Sequence, residues 1–271
     1  MNMQNSNPLK ESVKKYWNIA SCGTEFIREQ KHSKSYFEAI ENFRYTIEPE
    51  IFGFAQFTRF HGKKILEVGV GAGSDFTQWV RAGSLAHGID LTEEAINNVQ
   101  ERLKLYELSA VDLKCGDAEN LPYENNQFDL VYSWGVIHHS PDTERCLDEI
   151  IRVTKPGGQI KIMVYNRHSL FAFYQYLIFG LFKGQPFQSL ASILFKNQES
   201  PGTKAYTIKE VHQLLSSRPV SVTIIRTPIT NHDLLYYHQS KFVKMLARTA
   251  ASIFGWEKVG WFLMIDLQKM E

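Results

Sequence analysis

The stretch KILEVGVGAGSDFTQWV, Lys64 to Val80, decides the fold of this chain. A short β-forming run leads into glycines at alternating positions, and a helical pattern begins after Ser74. Glycine permits positive φ and lets a ligand lie against bare backbone, and the following helix offers free N–H groups. In an open α/β sheet, ligands bind where loops leave the carboxyl ends of the strands. The glycine loop therefore predicts a ligand site.

Short β-rich runs alternate with helical patterns on both sides of this loop. The runs are KILEV, LAHGID, VDLKC, FDLVYS and QIKIMVYN, followed near the end by VSVTIIRTP and GWFLMIDLQK. Thr92 is placed to cap one helix, and Thr207 with Glu210 forms the capping-box pattern of another. The alternation predicts an α/β fold: a seven-stranded, mostly parallel sheet with an antiparallel last strand and helices on both faces.

The chain divides into four predicted segments. They are an N-terminal helical cap at 1–62, a ligand-binding core at 63–166, a lid insertion at 167–206, and a completion of the core at 207–271 with a helical insertion at about 229–255. The cap and the lid are both rich in aromatic residues, which are more often core than pocket.

Composition excludes several classes of function. A chain of 271 residues with a net charge of +1 has no strongly basic balance, so no nucleic-acid partner is expected. The cysteines, Cys22, Cys115 and Cys146, are far apart and lack C-x-x-C spacing, which favours free thiols over disulfides or zinc. The polar N-terminal stretch has no signal-peptide pattern, and the expected location is the cytoplasm.

Two acids and one serine indicate which ligand the loop binds. Asp90 ends the LAHGID run, where a carboxylate can accept both hydroxyls of a ribose. A dinucleotide fingerprint needs a third glycine where this chain has Ser74. Glu67, just before the loop, would repel a pyrophosphate but suits an ammonium or a sulfonium group. A ribose together with a cation points to S-adenosylmethionine.

From about Lys63 to Asn166 the chain resembles the class I S-adenosylmethionine-dependent methyltransferases. The motifs are LEVGVGAGSD, GIDLTEEAI, CGDAENLPYENNQFDLV, SWGVIHHSPD and RVTKPGG. They are most similar to those of the methyltransferase type 11 group and of ubiquinone/menaquinone C-methyltransferase-like enzymes. The resemblance implies a Rossmann-like core that binds S-adenosylmethionine and releases S-adenosylhomocysteine.

The resemblance also implies cofactor-binding roles for particular residues. They are Tyr16 at the methionine carboxylate or methyl group; Glu67, Gly69, Gly71 and Gly73 at the methionine half; Asp90 at the ribose; Leu91 against the adenine; Asp117 and Ala118 at its amino group and ring; and Ser133, Trp134 and Gly135 at the methyl-donating end.

Methyl transfer from a sulfonium is a direct displacement, so the protein chiefly aligns the reacting atoms. Alignment can supply roughly 7 to 11 kcal/mol of the activation barrier, and a base is needed only when the acceptor atom must lose a proton.

The catalytic candidates are His138 and His139 in VIHHSPD, His168 after the fifth strand, and Tyr16 in the N-terminal helix. Pocket shaping is the alternative role for the two adjacent histidines. The histidine spacing predicts no metal site.

The aromatic segments favour a small lipophilic or aromatic acceptor, such as a secondary metabolite or a quinone-like ring, methylated at O, N or C. Three alternatives stay open: methylation of a lipid or membrane-bound precursor, a non-catalytic S-adenosylmethionine-binding module, and a nicotinamide oxidoreductase, which Ser74 opposes. The apolar stretch from Ser169 to Phe182 is shorter than the about 20 residues that span a bilayer. It is interpreted as substrate cover, a homodimer face or a membrane-surface contact.

Overall fold

The computed structural model describes residues 7–19, 21 and 23–271. Cys22 and residues 1–6 lie outside this part of the chain. The predictions of free thiols and of no signal peptide rest partly on these residues. Of the other cysteines, Cys115 is exposed, Cys146 is buried, and both are free.

The strands of the described residues form one mixed sheet. They are β1 (Lys64–Val68), β2 (Leu85–Asp90), β3 (Asp112–Cys115), β4 (Phe128–Trp134), β5 (Thr154–Asn166), β6 (Ala205–Tyr206), β7 (Val220–Arg226) and β8 (Phe262–Lys269). Their order is β3-β2-β1-β4-β5-β8-β7, and β6 pairs with β5. Only β8 is antiparallel, to both β5 and β7. The seven predicted strands are confirmed: they are the seven that pair in this continuous order. The two-residue β6 is an eighth strand.

Helices surround the sheet. Those of the described residues are α1 (Pro8–Ile19), α2 (Lys34–Ile47), α3 (Glu50–Ala55), α4 (Ser74–Arg81), α5 (Glu93–Leu105), α6 (Thr143–Val153), α7 (Leu170–Tyr176), α8 (Leu190–Asn197), α9 (Ile208–Leu215) and α10 (Lys241–Phe254). The Thr92 side chain accepts a hydrogen bond from Ala95 N at the start of α5, and Thr207 with Glu210 forms the predicted capping box of α9.

Each face of the sheet buries its own apolar layer. Ile65 and Leu66 are adjacent in β1 and fully buried, yet they belong to different layers because successive strand residues point to opposite faces. The Ile65 layer includes Phe76 of α4, and the Leu66 layer includes Ile150 of α6. The two faces of the parallel core are thus covered by helices, as the alternation of elements predicts.

The strand order places the site. It reverses at β1, because β2 and β3 follow on one side while β4 and β5 follow on the other. The loops that leave β1 and β4 therefore diverge and open a crevice at the carboxyl ends of these strands.

Candidate functional site

A pocket opens at this crevice. The loops after β1, β2, β3 and β4 line it, together with residues of α1 and α2. All of the predicted cofactor residues except Tyr16 and Ser133 line this pocket. It also contains side chains that were not among the predicted cofactor residues, namely Lys10, Trp17, Arg44, Glu48, Asp75 and Glu199.

The glycine loop leaves backbone exposed to the pocket. Gly69 has φ 83°, and a Cβ there would lie 2.2 Å from Val136 Cγ2, so a side chain is excluded by contact with the loop after β4. Gly71 has φ 52°, and a Cβ there would meet nothing within 4 Å. Gly73, also at positive φ, immediately precedes α4. The backbone at Gly71 therefore faces open space that a ligand can fill.

Glu67 presents a buried carboxyl group to the pocket. It is 3% exposed, and its Oε2 has no hydrogen-bond partner among the described residues. Burial raises the pKa of this carboxyl well above its ordinary value; Asp75 adds to the rise and Arg44 opposes it. A buried carboxylate that lacks a full set of donors is costly, and a ligand cation would relieve that cost.

Asp75 and Arg44 form a buried ion pair at the pocket wall. The Asp75 carboxylate accepts from Arg44 Nε at 3.0 Å and Nη2 at 2.7 Å, and from the hydroxyls of Tyr132 at 3.0 Å and Tyr45 at 3.2 Å. Burial works to lower the pKa of Arg44, but Asp75 and Glu48 raise it well above its usual value. The guanidinium thereby joins the cap helix α2 to α4.

Asp90 is held by the backbone on both sides of the crevice. Its Oδ2 accepts from Gly71 N at 3.0 Å, and its Oδ1 accepts from Thr92 N at 2.9 Å and Thr92 Oγ1 at 2.8 Å. Burial raises the pKa of Asp90, and the hydrogen bonds from Gly71 and Thr92 limit that rise. A carboxylate offers about four acceptor positions, so Asp90 keeps capacity for a ligand hydroxyl. Leu91 follows it in the pocket wall.

The loop after β3 is joined to the cap. Lys10 Nζ of α1 lies 2.7 Å from Asp117 Oδ2 and also pairs with Glu119. Burial works to lower the pKa of Lys10, and the hydrogen bonds to both carboxylates raise it. Asp117 and Ala118 therefore line the pocket next to a cap helix that an ion pair holds in place.

The residues that leave β4 separate into two groups. Trp134 and Gly135 line the pocket, and Trp134 Nε1 donates to Glu48 Oε2 at 2.8 Å. Ser133 is fully buried outside it. Adjacent strand residues point to opposite faces, which explains why Trp134 reaches the pocket and Ser133 does not.

The two adjacent histidines have different environments. His138 is fully buried outside the pocket, neither ring nitrogen has a partner among the described residues, and burial with His139 and Lys204 nearby lowers its pKa well below the usual value. His139 lines the pocket. His138 is therefore a buried packing residue that does not line the pocket, and of the pair only His139 can meet a ligand.

His139 links the core to the lid. Its Nδ1 lies 2.9 Å from both Ser200 Oγ and Thr203 Oγ1, and Thr203 Oγ1 donates its own proton to the Ser200 carbonyl. On the other side of the ring, Nε2 lies 3.3 Å from Glu199 Oε2. The Tyr165 hydroxyl donates to the same carboxylate, at 2.9 Å from Oε2. The lid thus contributes an acid to the pocket.

The remaining candidates lie outside the pocket. Tyr16 is 41% exposed and meets Trp17 edge to face, with ring centroids 4.9 Å apart. Trp17, its neighbour in α1, lines the pocket and packs on the His139 ring at 5.2 Å. His168 is exposed and away from the pocket. Consecutive helix residues are about 100° apart, so α1 presents Trp17 rather than Tyr16 to the site.

The charge of the pocket is strongly negative. Its carboxyl groups outnumber its permanent cations by six to two; they are Glu48, Glu67, Asp75, Asp90, Asp117 and Glu199, against Lys10 and Arg44. Such a site favours a cation and opposes a pyrophosphate. The residues therefore fit S-adenosylmethionine, which carries an ammonium, a sulfonium and a ribose. Within the described ranges, no group of three or more His, Cys, Asp and Glu side chains is placed to hold a metal ion.

The fold and the site define a class I S-adenosylmethionine-dependent methyltransferase domain. Residues 66–162 match the family described as methyltransferase domain. S-adenosylmethionine is the cofactor of that family, and the cofactor prediction is confirmed.

Two curated relatives match the same region. Phosphoethanolamine N-methyltransferase 2 of Caenorhabditis elegans is 36% identical over 107 residues, which are 39% of this chain and 24% of that protein. Phthiotriol/phenolphthiotriol dimycocerosates methyltransferase of Mycobacterium leprae is 39% identical over 101 residues, 36% of each chain. The chain therefore spans about a quarter to a third of the length of these relatives.

The fold as a whole has a solved counterpart. Geranyl diphosphate C-methyltransferase of Streptomyces coelicolor, solved with S-adenosylhomocysteine, superposes with a TM-score of 0.66 at 13% identity, covering 98% of this chain and 99% of that one. This similarity shows the fold alone. Among the described residues, no helix has the length and apolar character needed to cross a bilayer.

Proposed function

We propose that the chain transfers a methyl group from S-adenosylmethionine to an O, N or C atom of a small lipophilic or aromatic molecule. The observation that carries the proposal is a single pocket that both acidic and aromatic side chains line. We call Glu67 and Asp90, which adjoin the glycine loop, its acidic half, and Trp17, Trp134 and Tyr165 its aromatic half.

The acidic half fits the cofactor. When bound, S-adenosylmethionine supplies an activated methyl on a sulfonium that is its own leaving group. Glu67, with its unpartnered Oε2, would hold the ammonium, and Asp90 would accept from the ribose hydroxyls. Asp117 and Ala118, which line the same pocket, would meet the adenine. These residues would hold and orient the cofactor, and positioning is the main requirement of a direct displacement.

The aromatic half fits the acceptor and offers a proton acceptor. With the ring proton on Nδ1 and donated to Thr203 Oγ1, His139 Nε2 carries no proton; it lies 3.3 Å from Glu199 Oε2. It can take a proton from an acceptor hydroxyl or amine as the new bond forms. Glu199 would then stabilise the imidazolium, and the Tyr165 hydroxyl keeps that carboxylate in place. An acceptor atom without a proton would not need this pair.

Calorimetric titration with S-adenosylhomocysteine, with NADH as the control ligand, tests the cofactor assignment. Binding of S-adenosylhomocysteine alone supports it, and binding of NADH would restore the oxidoreductase alternative. Transfer of labelled methyl to a panel of phenols, quinols, amines and apolar acids then tests the activity. Cofactor binding without transfer to any acceptor, including those in a cell extract, would favour the non-catalytic binding module. The expected cytoplasmic location and the absence of a nucleic-acid partner stay predictions.

Methylation of a lipid or membrane-bound precursor is the second candidate. The lid exposes Phe173, Phe182 and Phe187 to solvent, and the same insertion brings Glu199 to the pocket. The Mycobacterium leprae relative is named for phthiotriol dimycocerosates. Faster turnover of an acceptor embedded in vesicles than of its short-chain soluble analogue would favour this candidate, and the reverse order would favour a free metabolite.

A further inference from the structure

Helix α10 carries an apolar face that no other element in the described part of the chain covers. Phe242, Met245, Leu246 and Ile253 are each at least half exposed, and Ile253 is 73% exposed. Their spacing of three, four and seven residues places them along one side of the helix. The opposite side, at Ala251, is buried against the protein. A continuous row of exposed large apolar residues marks an interaction site rather than ordinary surface.

A basic row runs beside this apolar row. Lys241, Lys244 and Arg248 follow one another at the same helical spacing, and none of them has an ion pair within the described residues. Lys244 Nζ lies 5.5 Å from the Tyr236 ring centroid. Residues 234–256 contain no aspartate or glutamate. These three cations therefore have no acidic partner within their own segment of the chain.

The lid continues the same surface. α10 contacts α7, and residues 167–198 also lack aspartate and glutamate. Leu181, Phe182 and Phe187 are exposed, and Lys183 Nζ lies 4.6 Å from the ring centroid of Phe179. Thirteen of the 23 large apolar side chains exposed in the described part of the chain lie in these two acid-free segments. We call residues 177–187 and 241–256 the basic apolar face.

We propose that the basic apolar face docks on the surface of an anionic membrane. Exposed Phe, Leu, Ile and Trp side chains beside Lys and Arg are the composition of a helix that lies in the plane of the headgroups. The apolar side chains would enter the boundary between headgroups and acyl chains, and the cations would meet the acidic lipids.

The positive charge of the basic apolar face favours an anionic membrane over a second copy of the chain as its partner. A two-fold symmetric contact through this face would set Lys241, Lys244 and Arg248 against the same residues of the partner, with no acid in either segment to pair with them. Anionic lipids provide the missing negative charge. Docking here would bring the lid, which supplies Glu199 to the pocket, next to the source of a lipophilic molecule.

Vesicle cosedimentation of the full chain tests the proposal. The protein should bind vesicles in which a third of the lipid is phosphatidylglycerol, bind pure phosphatidylcholine at least ~10-fold less, and lose anionic binding as salt is raised. Two variants test the two rows separately. The double variant Phe242→Glu, Ile253→Glu alters the apolar row, and the triple charge reversal Lys241→Glu, Lys244→Glu, Arg248→Glu alters the basic row. Each should reduce binding at least ~10-fold. Leu105→Glu with Val111→Glu, exposed apolar positions elsewhere, is the matched control and should bind as the wild type does.

Thermal melting and S-adenosylhomocysteine binding verify that each variant is folded. Binding to neither vesicle by the wild type overturns the proposal, as does equal binding to both. A dimer in sedimentation analysis that the Phe242→Glu, Ile253→Glu variant abolishes, without vesicle binding by the wild type, overturns it in favour of an interface between copies.

Discussion

Glu199 of the lid lies 3.3 Å from Nε2 of His139, although the two residues are 60 positions apart in the chain. The carboxylate also accepts from the Tyr165 hydroxyl of β5, and the histidine is oriented by Thr203 of the lid. The lid therefore does two things at this point: it orients the imidazole, and it places a negative charge where an imidazolium would form.

His139→Gln and Glu199→Gln should each lower kcat by about 10²- to 10⁴-fold for acceptors that lose a proton early. Because the two residues act as a unit, the double variant should be little slower than the slower single variant. Affinity for S-adenosylhomocysteine should not change, since neither side chain belongs to the acidic half of the pocket. His168→Ala, at an exposed position, is the control. Unchanged kcat in Glu199→Gln with a phenolic acceptor would refute the role of the pair.

Asp90→Ala should weaken binding of S-adenosylhomocysteine at least tenfold. A hydrogen bond to a charged group contributes about 1.5 to 3 kcal/mol, and about 1.4 kcal/mol is a factor of ten in affinity. Asp90 also accepts hydrogen bonds from Gly71 N and Thr92, so its removal affects the fold as well as the cofactor. The titration is therefore made well below the melting temperature of the variant. Asp112→Ala, in β3 outside the pocket, should retain affinity. Equal affinities for the wild type and Asp90→Ala would remove Asp90 from the ribose site.

The parts of the site that the sequence predicted are those encoded within a few residues. The glycine loop and Asp90 each follow a strand directly, so a motif determines both their conformation and their place at the sheet edge. The same locality explains the sheet, because the strands are short β-rich runs between turn residues. Position within a motif does not fix which way a side chain points, however. Ser133 and His138 are in the right segments and face away from the pocket.

The parts that the sequence did not predict come from distant segments. Lys10, Arg44 and Glu199 enter the pocket from the cap and the lid, and no spacing rule connects them to the glycine loop. Their only local signal is a charge within an aromatic or apolar segment, as at Arg44. Trp17 lines the pocket and Tyr16 does not, a difference of one residue in helix phase that cannot be read from the sequence where both neighbours are aromatic.

Glu67→Gln should stabilise the cofactor-free protein while weakening cofactor binding. The folded-state pKa of Glu67 lies above its unfolded value of about 4.3, so the folded chain holds this proton more tightly and stability falls as pH rises through that interval. Removing the charge should therefore raise the melting temperature at mildly alkaline pH, where the wild-type carboxyl has to ionise in a buried site.

The same group gives cofactor binding a pH dependence. A cation bound beside Glu67 favours the ionised carboxylate, so the affinity of the wild type for S-adenosylhomocysteine should rise as pH rises from mildly acidic values. Glu67→Gln should flatten this dependence, whereas Glu124→Gln, at an exposed position, should not. A parallel pH profile in Glu67→Gln and the wild type would show that another group binds the ammonium.

Arg44→Leu should destabilise the fold by about 3 kcal/mol, because it leaves the Asp75 carboxylate buried with only two tyrosine hydroxyls as donors. Asp75 is 2% exposed, while the Arg44 side chain keeps some solvent access. The expected loss of stability is therefore at the lower end of the range for a broken buried ion pair. Adding Asp75→Asn should recover part of the loss in chemical denaturation. Arg81→Leu, which breaks the more exposed pair with Glu41, should cost no more than about 1 kcal/mol. Equal losses for the two arginine variants would show that the buried pair is no more important to stability than a surface one.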